Sequence, residues 1–182
     1  MKIPTLETER LILRAPTMED VDWFFSLRSD KEFMKYMHRP VIKEMSEAQA
    51  FVQNFLDRAE SETGLQWVLE EKASGNPVGY AGPWRWDSKN NTGELGYGLD
   101  LNHVGKGFMR EAVAACIKYG FEHMNLERIE AWMEDQNHGS RKVVEANGMQ
   151  REATLRHYVL HDGKYRNLYI YSILRSEYSR RG

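Results

Sequence analysis

Between Thr92 and Cys116 the chain reads TGELGYGLDLNHVGKGFMREAVAAC. A strand-like run carrying Gly93, Gly96 and Gly98 passes through a short loop into Gly105 and Gly107. An apolar stretch follows, with Phe108, Ala112, Cys116 and Gly120 recurring at helical steps of four. Glycine weakens a helix by roughly 0.5–1 kcal/mol relative to alanine, so two of them at a helix doorway need a reason. A helix leaves its first N–H groups unpaired and concentrates partial positive charge there. Glycines let an anion reach those groups with no Cβ in the way. The plainer alternative is that both are turn residues. Two other phosphate loops fail on spelling: VGKGFM lacks the G-x-x-x-x-G-K-[ST] order, and Arg110 stands where the third glycine of G-x-G-x-x-G belongs.

The flanking sequence supplies the rest of an alternating order. RLILRA (10–15) alternates as a strand, and Thr17 with Asp20 caps a helix to about Arg28. Ser46 with Gln49 predicts a second capping box, opening a helix to about Glu62 with Phe51, Phe55 and Leu56 on one face. LQWVLEE and NPVGYAGPW are strands joined by a Ser-Gly-Asn turn, and RIEAWMED is another. NHGSRKVVEANG reads as a helix closed by Gly148, and REATLRHYVL-HDGK-YRNLYIYSIL as a long hairpin. The sum predicts an α/β (α+β) domain: one mixed central sheet with helices on both faces, residues 1–182, without repeat or linker. Ligands of such sheets bind beyond the carboxyl ends of strands, where helix N-termini point, and Leu101–Phe108 lies at such an end.

Taken with ELGYGLDL before the loop and NHGSRKVVEANGM after it, the chain resembles the GNAT superfamily of acetyl-CoA-dependent N-acetyltransferases. Within it the ribosomal-protein N-terminal acetyltransferase branch looks most similar. LETERLILRAPTMEDVDWFFSL resembles that branch's opening strand and helix, GELGYGLD its central strand and GKGFMREAV its pyrophosphate loop. The run N-x-x-S-x-K-V-V-E-x-N-G-M resembles its cofactor-flanking helix. The superfamily loop begins with Gln or Arg; here Asn102 holds that position. The resemblance implies that backbone amides from Val104 through Gly105, Lys106, Gly107 and Phe108 to Met109 hold the coenzyme A pyrophosphate. It implies that the main chain of Leu99 and Leu101 pairs with the pantetheine arm, and that Gly93–Gly98 forms a β-bulge splaying two strands apart. Lys106, Arg110 and Lys142 become candidates for neutralising phosphates, with ordinary solvated charge as the alternative.

Acyl transfer to an amine needs an unprotonated nitrogen and a stabilised leaving thiolate. A lysine amine, pKa about 10.4, is free in roughly one molecule of a few thousand at neutral pH, an α-amine in roughly one of ten. An α-amine therefore needs only a modest base. Glu94, on the central strand where the family often has an acid, is the candidate base; the alternative is an anchor for the acceptor's cation or for a basic neighbour. Asn137 and Ser140 share a helix face. The resemblance gives Asn137 a hydrogen bond to the coenzyme arm, beside a helix-capping role, and Ser140 a place near the sulfur as general acid. Trp84, Trp86 and Asp87 are candidates for walling the acceptor pocket, since aromatic surface plus acid suits a cation; for Trp84, core packing is an equal alternative.

Composition narrows the partners. A net charge of −2 supports no nucleic-acid interface, and no apolar run is long enough for a signal peptide or a membrane span. The single cysteine, Cys116, cannot form an internal disulfide and sits on an apolar helix face, so the expected setting is reducing and cytoplasmic. The six histidines show no metal-ligand spacing, and no metal is expected. The expected partners are acetyl-CoA and an amine acceptor. By analogy with the branch a homodimer is an option, with the hairpin from Arg151 to Leu174 as an edge. The leading expectation is acetyl transfer to a primary amine, most of all a protein N-terminus such as that of a ribosomal protein. Its competitors are a small acceptor (polyamine, amino acid or antibiotic) and a non-catalytic coenzyme A sensor.

Overall fold

A computed structural model describes residues 2–180. Its strands are β1 (Leu6–Glu7), β2 (Leu11–Arg14), β3 (Trp67–Glu71), β4 (Pro77–Asp87), β5 (Thr92–Leu99), β6 (Arg128–Glu134), β7 (Gln150–His161) and β8 (Lys164–Leu174). They form one sheet in the order β1-β2-β3-β4-β5-β6-β8-β7. Every neighbouring pair is antiparallel except the central β5 and β6.

Helices cover both faces, as the alternating order requires. On one face α1 (Val21–Ser29), α2 (Lys31–Met34) and α3 (Met45–Glu60) bury Phe24, Phe33, Val52 and Phe55 against Val68 and Tyr80 of the sheet. On the other, α4 (Phe108–Glu122) and α5 (His138–Ala146) pack on Leu69, Leu95, Ile129, Ala131 and Met133. The period of two along β6 thus sends Ile129, Ala131 and Met133 under α4, and Glu130, Trp132 and Glu134 to the α1–α3 side. A last short helix, α6 (Arg175–Tyr178), follows β8. Phe108, Ala112, Cys116 and Gly120 of α4 are all buried. At Gly120 a Cβ would come 2.8 Å from Ile129 Cδ1, so the glycine lets α4 approach β6. The predicted Asp162-Gly163 turn has both residues at positive φ, 49° and 71°, which matches the twist of a two-residue hairpin.

Two predicted details are corrected. The α3 cap is Glu44 rather than Ser46: the Glu47 carboxylate reaches back to accept the N–H of Lys43 and Glu44 at 2.8 and 2.9 Å. Ser46 lies inside the first turn. The bulge is not in β5 but in β4, where the register slips between Pro83 and Arg85 and leaves Trp84 as the extra residue. Gly96 and Gly98 of β5 instead make room for aromatic rings. A Cβ at Gly96 would lie 2.8 Å from the Trp84 indole, and one at Gly98 would lie 2.7 Å from Phe33 and 2.8 Å from Tyr80.

β5 and β6 pair only at Thr92↔Arg128, Gly93↔Ile129 and Glu94↔Glu130. Beyond that point each stays paired to its outer neighbour, β5 to β4 through Leu99↔Gly79 and β6 to β8 through Glu134↔Leu168. The sheet opens as a wedge between them.

Candidate active site

One wall of the wedge is the β5 edge from Leu95 to Leu99, which pairs with β4 alone. Asp100 donates its N–H to Val78 of the β4 side at 2.8 Å, so strand alternation turns the polar groups of Leu99 into the wedge. At Leu101 a single 3-10 turn begins, and the Leu101 carbonyl accepts the Val104 N–H at 3.3 Å. Asp100 fixes that turn, accepting from the Asn102 N–H and side-chain amide at 2.9 and 3.0 Å. The Asn102 side chain is therefore held within the loop.

The chain then enters α4 through Gly105 and Gly107, at φ +84° and +83°. Gly105 faces open space, with nothing within 4 Å of where a Cβ would stand. Among the described residues the backbone N–H groups from Gly105 to Arg110 take no hydrogen bond, while Glu111 is the first to donate back, to Gly107, at 3.2 Å. Six consecutive donors at a helix N-terminus, with two glycines among them, form a cradle that fits a phosphate group. Arg10 braces it from below: its Nη1 donates to the Lys106 carbonyl at 2.8 Å, its guanidinium lies over the Phe108 ring, and Glu111 holds it at 2.7 Å. Beside the cradle Arg10, Gly107, Arg110, Glu111, Ala114, Ala146 and Asn147 line a cavity of about 370 Å³. Lys106, Arg110 and Lys142 are exposed. Phe108 and Met109 point inward, at 4% and 5% exposure, so only their main chain belongs to the cradle.

Across the wedge, on the α4 side, the Tyr97 hydroxyl of β5 meets Ser140 Oγ of α5 at 2.6 Å. Asn137 caps α5, its Oδ1 accepting the Ser140 N–H at 3.1 Å, which fixes where Ser140 sits. Burial pushes the Tyr97 phenol up to about 12. Nothing in the sequence singled out Tyr97; its signal was only its place two residues before Leu99 on the same strand face.

Glu94 stands at the closed vertex of the wedge, on the opposite, α1–α3 side. Burial raises its carboxyl above the usual range, and repulsion from Glu130 adds to this. Hydrogen bonding from the Trp84 indole and the nearby Arg85, 3.4 Å away, pulls the other way. A half-desolvated carboxylate of raised pKa is what a base for an ammonium near neutrality requires. Glu130 is tied to Arg128 and to the Trp132 indole N–H at 3.0 Å.

The structure brings Trp84 to Glu94 but not the other two wall candidates. Trp86 pairs with Gly93 and packs towards the α4-side core. The Asp87 carboxylate is occupied by the β4–β5 turn, accepting from Lys89 and Asn90 at 2.7–3.1 Å. Trp132, 40% exposed, stands on the Glu94 face where Trp86 was expected. Cys116 is buried in the core, where burial raises its thiol pKa. Among the described residues no group of three or more His, Cys, Asp or Glu side chains is placed to hold a metal, and no helix is long and apolar enough to cross a membrane.

Comparison with known proteins shows the family and the fold. The sequence profile of the acetyltransferase (GNAT) domain matches residues 10–150. An uncharacterized N-acetyltransferase of Bacillus licheniformis, p20, is 37% identical over 175 residues, 96% of this chain and 98% of its own. The spermidine N-acetyltransferase of Vibrio cholerae, solved with CoA and spermine, superposes with a TM-score of 0.85 at 21% identity, over 94% of this chain and 99% of that one. The ribosomal-protein-S5-alanine acetyltransferase of Vibrio fischeri gives 0.83 at 21% identity, over 96% and 98%.

Proposed function

Since the chain belongs to the GNAT acetyltransferase family, we propose that it moves an acetyl group from acetyl-CoA to a primary amine in the wedge between β5 and β6. The acceptor in this reading is the α-amine of a protein N-terminus, as in the ribosomal-protein branch whose motifs the chain resembles. The observation that carries it is the continuity of two unpaired surfaces: the open β5 edge to Leu99, and the unbonded N–H row from Gly105 to Arg110. An extended arm fits the first and a diphosphate the second. The cavity lined by Arg10 and Arg110 beside them suits a further anionic or nucleotide group.

When bound, acetyl-CoA supplies an activated acetyl group on a leaving thiolate. The chain's own residues do the rest. Gly105 to Met109 hold the diphosphate through main-chain N–H groups, and Leu99 with Leu101 pairs the arm. Asn137 positions Ser140. Glu94 takes a proton from the acceptor's ammonium, freeing the amine lone pair to attack the thioester carbonyl, and Trp84 with Trp132 forms an aromatic surface on its side of the sheet. The hydrogen-bonded Ser140–Tyr97 pair offers the thiolate one hydroxyl donor, the other proton being held between the two oxygens. Proton release from a phenol near 12 to a thiolate of pKa about 8.5 is uphill, so donation rather than full transfer is their role.

The test is thiol release from acetyl-CoA with a panel of N-terminal peptides, lysine peptides and small amines. Acetylation of peptide α-amines supports the reading. Reaction of small amines alone replaces the acceptor, and coenzyme binding with no acetylated product converts the protein into a coenzyme A sensor.

A further inference from the structure

Residues 35–39, between α2 and α3, cross the wedge on the Glu94 side. At the β4–β5 wall Phe33 lies over Gly98, and the Tyr80 hydroxyl reaches Met37 Sδ at 3.9 Å. At the far wall Tyr36 and His38 meet the His161 ring edge-on, with centroids 6.1 and 5.9 Å away. Beneath them is Glu134, the last residue of β6. Its side chain is fully buried, at 0% exposure; Oε1 lies 2.6 Å from His161 Nδ1 and 3.4 Å from His38 Nε2. Oε2 has no partner.

A carboxylate taken out of water costs several kcal/mol unless it is well paired, and an apolar residue could close the end of β6 without that cost. A buried acidic side chain here, in contact with two other elements, points to a role beyond packing. The strap also holds a non-glycine residue in the left-handed region, His38 at φ 50°. Such conformations persist where the surroundings over-determine them.

We propose that Glu134 positions the acceptor side of the site: its carboxylate ties the strap 35–39 to the tip of the β7–β8 hairpin and fixes the mouth through which the amine reaches Glu94. The inference rests on reading the wedge as the transferase site. Glu134 acts through His38 and His161 and is a positioning residue. Among the described residues its tie to His38 is the strap's polar contact with the far wall.

Two variants test it. Glu134→Gln keeps the size and one accepting oxygen but replaces the second oxygen with an amide. His38→Asn cuts the tie from the strap side, with a residue that tolerates positive φ. In each, the KM for the amine rises about tenfold, the loss of one polar contact. The KM for acetyl-CoA and kcat stay within about twofold, and the double variant is no worse than the poorer single one, as coupled sites behave. Hydrogen exchange speeds up at 35–39 while β6 and β8 keep their protection. An unchanged amine KM in both variants overturns the proposal, as does a joint rise of both KM values or faster exchange throughout β6 and β8. If the wild-type protein acetylates no amine, the transferase reading fails, and the exchange comparison still decides whether Glu134 holds the strap.

Discussion

Glu94 shows how position sets the chemistry of one side chain. On an exposed strand it would be an ordinary carboxylate; at the vertex of the wedge burial and Glu130 raise its pKa. The sign follows: a base with a raised pKa is lost by protonation at a higher pH than an ordinary glutamate. The kcat profile therefore carries an acid limb above the usual carboxylate range. Glu94→Gln abolishes that limb and lowers kcat by about 10²–10⁴, the range of general base catalysis. A limb that persists in the variant assigns the base elsewhere. Ser140 makes a smaller demand, because a thiolate is already a fair leaving group and Tyr97 remains to donate. Ser140→Ala is expected to lower kcat by about tenfold at saturating substrate, one hydrogen bond's worth; a loss near that of the Glu94 variant would make the serine the proton source after all.

The element proposed to bind the coenzyme is a helix start, and in that reading its specificity lies in the backbone. Gly105 and Gly107 take the left-handed conformation at the entry to α4. Gly105 has nothing within 4 Å of its missing Cβ, so Gly105→Val meets no neighbour in the protein. Its structural cost is the strained φ, about 1–2 kcal/mol. The larger effect falls on the anion: the KM for acetyl-CoA rises more than about tenfold while the melting temperature drops only a few degrees. An unchanged KM there removes the cradle from the binding site. The same element explains Arg10. A residue just before β2, more than ninety positions away in sequence, supports the loop through the Lys106 carbonyl, a contact that local pattern could not show.

At the scale of the molecule, the wedge is a break in the sheet, and a ligand that bridges it joins the two halves. Any ligand that binds the folded state alone stabilises it; at a concentration one hundred times its Kd the gain is about 2.7 kcal/mol. For a chain of this size that raises the melting temperature by about 5–10 °C. Calorimetric scans with coenzyme A measure the shift, and no shift at saturating coenzyme would leave the wedge without its ligand.

The sequence by itself determined the order of the elements, the helices on both faces and the glycine doorway to α4. Each rests on local periodicity or turn chemistry that neighbouring residues express together. Its resemblance to the GNAT superfamily brought Glu94, Ser140 and the loop 101–109 into view as candidates. What only the tertiary structure decided was contact between residues distant in the chain. Trp84 became the bulged residue because β4 had to match β5, and its indole explains Gly96. Trp86 and Asp87 fell away to the core and the turn, Tyr97 met Ser140, and His38 met Glu134 and His161. Periodicity tells which face a side chain takes; which distant side chain shares that face depends on strand order and register, and these are fixed by the packing of the whole sheet.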